Sequence, residues 1–409
     1  MRKAALILLM TAALPGCGRE APPVVPAAAS SALQASFPGR DPALRRDAAG
    51  NLHVVYVEDR EGGAVLSYRR LGADPAGPVA VSPPGLAVSA HGEAAPVLEV
   101  LPGGALVTAY PVALPGKWKN ELRVQRSADG GATWSEAGLL HPRREGSHSY
   151  LSSALTAQGT VAFAWLDDRT GHMGLHTAAS PDGVTVSAGQ TLDPETCECC
   201  GTDLLAGSKG DLWLAYRALE KNNIRDIHLL KASSGTGFSP GGKLSDDGWS
   251  LDGCPHTGAR LAEAADGTLW ATWFTGAEPG VYAASSADGG GTFTPRTQVA
   301  APAGELRAVT HPEVGTLRDG RIAVLYEAVQ ADGSHPILAR LRDPATGTWQ
   351  SPRPVAPQGS YPRLAGDVVA FTCRTEKGTN VVVADWAVVE KGGMGWTGCS
   401  AEAAAEHHH

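Results

Sequence analysis

This 409-residue chain has no run of basic residues, and its 34 Lys and Arg stand against 42 Asp and Glu, a formal charge of −8. Both observations argue against binding by phosphate neutralisation, and so against a nucleic-acid partner. Long apolar runs are also missing. The stretch Ala4 to Ala13 falls well short of the ~20 residues a membrane-spanning helix needs, and no other segment comes nearer. Coming after Arg2-Lys3, it reads as the apolar region of an export signal. What the chain has in quantity is turn chemistry. It holds 50 Gly and 29 Pro in a composition 43% hydrophobic, as a turn-dense all-β protein requires.

The turns are periodic. A Gly followed at the second position by an aliphatic residue and at the sixth by an aromatic recurs at Gly50, Gly104, Gly159, Gly210, Gly267 and Gly320. The aromatics are Tyr56, Tyr110, Trp165, Tyr216, Trp273 and Tyr326. Gly366 begins a seventh copy with Thr372 in the aromatic's place. Intervals of 46 to 57 residues, filled by short apolar runs, point to a β-propeller with one four-stranded blade per unit. Seven blades are expected, with six as the alternative if a terminal unit is irregular.

The unit 202–245 shows the plan. Leu204 to Ala206 is an inner strand, Leu212 to Tyr216 a second, Ile227 to Lys231 a third and Gly242 to Leu244 an outer one. The last unit has Val368 to Thr372 and Val381 to Val388 but no clear fourth strand. A segment near Leu33 to Phe37 would supply it and leave no open edge.

Outside the propeller, assigned to residues 37–400, the termini have other roles. Leu14-Pro15-Gly16-Cys17 resembles the lipobox of bacterial lipoproteins. That resemblance implies a signal peptide over 1–16, a lipidated Cys17, a flexible tether over 17–36 and anchoring to a membrane in the cell envelope or periplasm. The alternative is an ordinary secretory signal with a chance cysteine. Residues 401–409 end in His407-His408-His409 and read as a tag remnant.

Two segments, Ser127 to Trp134 and Ser286 to Phe293, carry Ser-x-Asp-x-Gly-x-Thr followed by an aromatic, and Ser180 to Gly183 is a shorter copy. In such a turn the carboxylate takes amide hydrogens and the glycines permit positive φ. These segments resemble the Asp-box of sialidase-like propellers, a likeness that covers nearly the whole mature chain. The chain also looks like a bacterial subgroup of that family carrying Cys-x-Cys-Cys and Gly-Cys-Pro-His. The likeness implies fold strongly and chemistry hardly at all.

The loops leading into the inner strands share one face of a propeller, and here they hold His91, His148, Cys199 with Cys200, His256 and His311, 9 to 13 positions before their anchor glycines. Cys197 and Cys254 stand beside them. Thiolate with imidazole suits copper(I), or zinc. The competing reading is two structural disulfides, for example Cys197 or Cys199 with Cys254. Cys373 and Cys399 read as a separate pair bracing the C-terminal extension. Arg225 and Asp226, with Trp249 nearby, would brace the cysteine loop, or else be solvated loop charge. His141, His172 and His335 are expected at the surface.

Three functions follow. The first is a cell-envelope copper-binding lipoprotein that exchanges metal with a periplasmic donor or acceptor protein, and whose mouth resembles in position the multi-histidine propeller of nitrous oxide reductase. The second is a sialidase-like exo-glycosidase or glycan-binding propeller. That resemblance implies three arginines, a Tyr–Glu pair and an Asp acid, and Arg217, Arg307 and Arg363 with Tyr361, Glu305 and Asp226 are the residues to fill those roles. The Arg-Ile-Pro motif of such enzymes is absent. The third is a disulfide-stabilised interaction scaffold without metal.

Overall fold

A computed structural model describes residues 33–392, apart from 73–74, 143–144, 234–236 and 245, together with Cys399. The export signal, Cys17, most of the tether and the terminal histidines lie outside the described residues.

Seven four-stranded antiparallel sheets form the seven blades of an all-β propeller, which settles the blade count. Numbered from the first, their inner strands are Arg40–Arg46, Val97–Val100, His148–Leu155, Asp203–Ala206, Arg260–Glu263, Leu306–Thr316 and Ser360–Ala365. Every anchor glycine closes the turn from inner to second strand with φ between 58° and 89°, a region glycine enters without steric cost. The six aromatics that follow lie in the second strands, each no more than 5% exposed. These strands bury both faces between neighbouring blades, so they read as continuous apolar runs; all seven residues of Val161–Asp167 are buried. The core is thus a set of inter-blade clusters, such as Trp213, Leu229, Trp273 and Tyr282 between blades four and five.

Two strand limits differ from the sequence reading. The outer strand of blade four is Ser239–Lys243, a few residues early, because it pairs through Pro240 and Gly242 across a bulge. In blade seven the third strand is Gly378–Asp385, and Trp386–Glu390 is helical. Pairing stops there because the neighbouring strand, Gln34–Pro38, begins at the register of Ala384. This N-terminal strand is the fourth of blade seven and closes the ring. Thr372 replaces the repeat's aromatic beside that closure, where its hydroxyl accepts the Asp41 N–H at 2.9 Å.

The inner strands are of two kinds. In blades one, three, six and seven the strand is long and carries a bulge near its start, with Asp41, Tyr150, His311 and Tyr361 at positive φ. In blades two, four and five the strand is only four residues long. The chain ahead of each short strand is left as a loop, and these three loops build the site.

Candidate metal centre

Glu93 gathers the three loops. Its Oε2 accepts the amide hydrogens of Gly201, at 3.0 Å, and Gly258, at 2.9 Å, one from each of the other two loops. Burial opposes its charge, but Arg260, His311, Arg363 and the Gly201 amide outweigh it and hold the carboxyl below its ordinary range. A buried carboxylate so bonded is a fixed anionic staple. The loops it joins also touch: a Cβ on Gly258 would lie 2.2 Å from the Gly201 carbonyl oxygen, so the approach requires glycine.

The staple brings the cysteines together. Cys197, Cys199 and Cys200 are buried, at 1%, 3% and 2% exposure, and packed against Tyr150. The Cys197 sulfur is 3.4 Å from that of Cys200 and 3.9 Å from that of Cys199. The donor atoms of these three lie within 4.8 Å of one another, and so do those of Cys199, Cys254 and His256. Cys254 and His256 are exposed. None of the four cysteines is in a disulfide, whereas Cys373 and Cys399 are joined by one.

Arg225 and Asp226 are buried and not solvated. The Arg225 Nη1 donates to the Cys197 sulfur at 3.3 Å, and Asp226 accepts the Gly248 and Trp249 amides, which fixes the strap that leads to Cys254. Arg217 stacks on the Trp249 ring and donates to the carbonyls of Arg225, Thr257 and Phe274. Cys199 and Cys200, donating to the Cys197 sulfur, and the Arg225 guanidinium together pull the Cys197 thiol far below the ordinary range. Its bond to Cys197 pushes Cys199 up, and burial pushes Cys200 up. One thiolate is therefore favoured among three crowded sulfurs, and a second negative charge needs a cation.

The donor set fits a soft metal ion. With metal–sulfur bonds of about 2.3 Å, sulfurs around a tetrahedral or trigonal ion stand roughly 3.8–4.0 Å apart. The observed separations need adjustments of a few tenths of an ångström. Thiolate and imidazole donors without carboxylate select copper(I) or zinc over the hard cations.

Other expected ligands are not brought in. His148 donates from Nδ1 to the Asn120 carbonyl at 2.7 Å and stacks on His141, with centroids 3.6 Å apart. It sits two residues before the bulge of a long inner strand, paired with Asp167. His311 lies between Glu327, at 3.1 Å, and the His256 carbonyl, at 3.1 Å, so it props the loop that carries His256. His91 packs edge-on against Tyr150, outside both donor groups. Of the histidines expected at the surface, His172 is exposed, His335 half-buried, and His141 buried at 5% exposure. Sequence reasoning missed Glu93 and Tyr150. An acid just ahead of an apolar inner strand, and an aromatic nine positions before Gly159, were the available signals.

The arginines expected for a sialidase clamp do not form one. Arg217 is consumed by carbonyls, while Arg307 and Glu305 are exposed. Below the staple the axis holds a cavity of about 480 Å³, with Arg45, Arg260, Arg363 and Glu313 among its lining.

Fold and cluster together define a class, a seven-bladed propeller with a thiol and imidazole cluster at its mouth. No protein-family model and no curated protein matches the chain. Among solved structures, a protein of unknown function from Dyadobacter fermentans DSM 18053 is 18% identical and aligns over 74% of this chain and 100% of its own, with a TM-score of 0.50. An ulvan lyase of a new polysaccharide lyase family is 10% identical over 83% of this chain and 93% of its own, with a TM-score of 0.55. A Hadza microbial sialidase is 14% identical over 83% and 78%, with a TM-score of 0.48. At such identities the likeness is one of fold.

Proposed function

We propose that this protein is a copper-binding propeller of the cell envelope, lipid-anchored through Cys17, that takes copper from or gives it to a periplasmic partner protein. The observation that carries the metal reading is the convergence of Cys197, Cys199, Cys200, Cys254 and His256 with no disulfide among them. Crowded thiols in an exported protein oxidise unless something holds them. A bound soft cation does so and neutralises the charge that a second thiolate would bring. Zinc suits the same donors, and metal analysis separates the two.

The test is metal analysis of protein purified with and without added copper, paired with thiol counting. Copper at one equivalent or more per chain, with the cysteines recovered as thiols after removal, is the expected result. No metal and no free thiol in protein kept anaerobic would overturn the reading and make the cysteines structural braces.

A second reading rests on the axial cavity. Arg45, Arg260 and Arg363 stand there among Glu93, Glu99, Asp203 and Glu313, a mixed ring of donors and acceptors suited to the hydroxyls of a sugar. Hydrolysis or retention of a fluorogenic sialoside, abolished by Arg363→Ala, would support it. The copper reading expects neither.

A further inference from the structure

We infer that the mouth has two metal positions, an inner and an outer one, that share the Cys199 sulfur. The inference rests on the copper reading above and concerns the number and order of ions.

The donors divide into two sets. Among the described residues, Cys197, Cys199 and Cys200 form one group with all donor atoms within 4.8 Å, and Cys199, Cys254 and His256 form another. No larger set meets that limit, so Cys199 alone belongs to both. A four-coordinate ion cannot use all five donors, and one placed in either group leaves two donors of the other without metal. A thiolate sulfur has lone pairs enough to bridge two ions.

Burial draws the same division. The inner set is enclosed by Tyr150 and the Arg225 guanidinium. The outer set is completed by two exposed side chains from the loop of blade five. An ion reaching the mouth from a partner meets Cys254 and His256 first, and passes inward by exchanging ligands while it remains on Cys199.

The experiment is anaerobic titration of the reduced chain, with His407–His409 removed, by copper(I) against a chromophoric chelator, followed by timed removal with excess chelator. The wild-type protein should bind two equivalents, one leaving at least tenfold faster than the other. The double variant Cys254→Ser, His256→Ala should bind one, and lose it at the slow rate. One equivalent in the wild-type protein would overturn the two-position inference while leaving the copper reading intact. Two equivalents in the double variant would overturn the outer position. None in either protein would overturn both readings.

Discussion

Replacing Cys200 by Ser removes a sulfur from a buried set of three while leaving every strand of blade four untouched. Copper affinity should fall at least about 100-fold with the circular dichroism spectrum unchanged, and Arg225→Ala, which removes the donors to the Cys197 sulfur and the Leu251 carbonyl, should cost about 10- to 100-fold. Unfolding on Cys200→Ser, with no metal bound by wild-type protein, would point to disulfides. His141 supplies a pH dependence. Its Nδ1 donates to the Pro142 carbonyl and its Nε2 accepts the Leu122 amide hydrogen, so the folded ring must be neutral. Burial, then the adjoining His148, lowers its pKa to about 4 from 6.5. A depressed folded-state pKa means the associated stability is complete above pH 6.5 and is lost as the pH falls toward 4, by about 3 kcal/mol. Urea unfolding of wild type and His141→Gln at pH 7.5 and 4.5 checks this; equal slopes with pH would refute it. The cysteines and His256 were legible as residue types clustered at one repeat position. Glu93 was not, because an acid's role as a staple depends on amides more than a hundred positions away.

The Asp-box turns do more than fix their own hairpins. Asp129 and Asp288 each accept a threonine amide and hydroxyl, as their sequence pattern implies. The same turns are also grasped by the preceding blade. The Tyr68 hydroxyl donates to the Gly130 carbonyl at 2.9 Å, the Trp213 indole to that of Gly289 at 2.9 Å, and Arg126 to that of Asp182 at 3.2 Å. They act as clasps between blades. A Cβ on Gly131 would stand 2.1 Å from the Tyr68 ring, at a φ of 98°, so Gly131→Ala should destabilise the protein by about 2 kcal/mol. Tyr68→Phe should cost about 1 kcal/mol. Denaturant midpoints measure both, and a neutral Gly131→Ala would refute the clasp. The placement of histidines was less legible. A position nine before the anchor glycine is a bulge at positive φ in blades one, three and six, whereas the residue eleven before it in blade three is already within the ladder. Counting back from glycine cannot separate the two, because bulges change register without changing composition.

At the scale of the ring, the seven-fold order was readable because each glycine turn and buried aromatic is local. The unequal lengths of the inner strands were not, since strand length there depends on what the loops find across the axis. The last blade joins both ends of the described chain. Cys373 of that blade is joined by a disulfide to Cys399, 26 positions on. Cys399→Ser should lower stability by about 3 kcal/mol from loop entropy. It should leave copper stoichiometry unchanged, because the four mouth cysteines are free. A change in metal content on that substitution would show that the two cysteine sets exchange.

Blade seven also sets the timing of folding. Gln34–Pro38 is among the first strands to leave a ribosome or export channel, and its partner Gly378–Asp385 is among the last. Blades one to six can form in the order of synthesis, but the first strand has nothing to pair with until almost the whole chain has emerged. An assembly of this kind remains an open arc throughout translation and becomes a closed ring in a single final event.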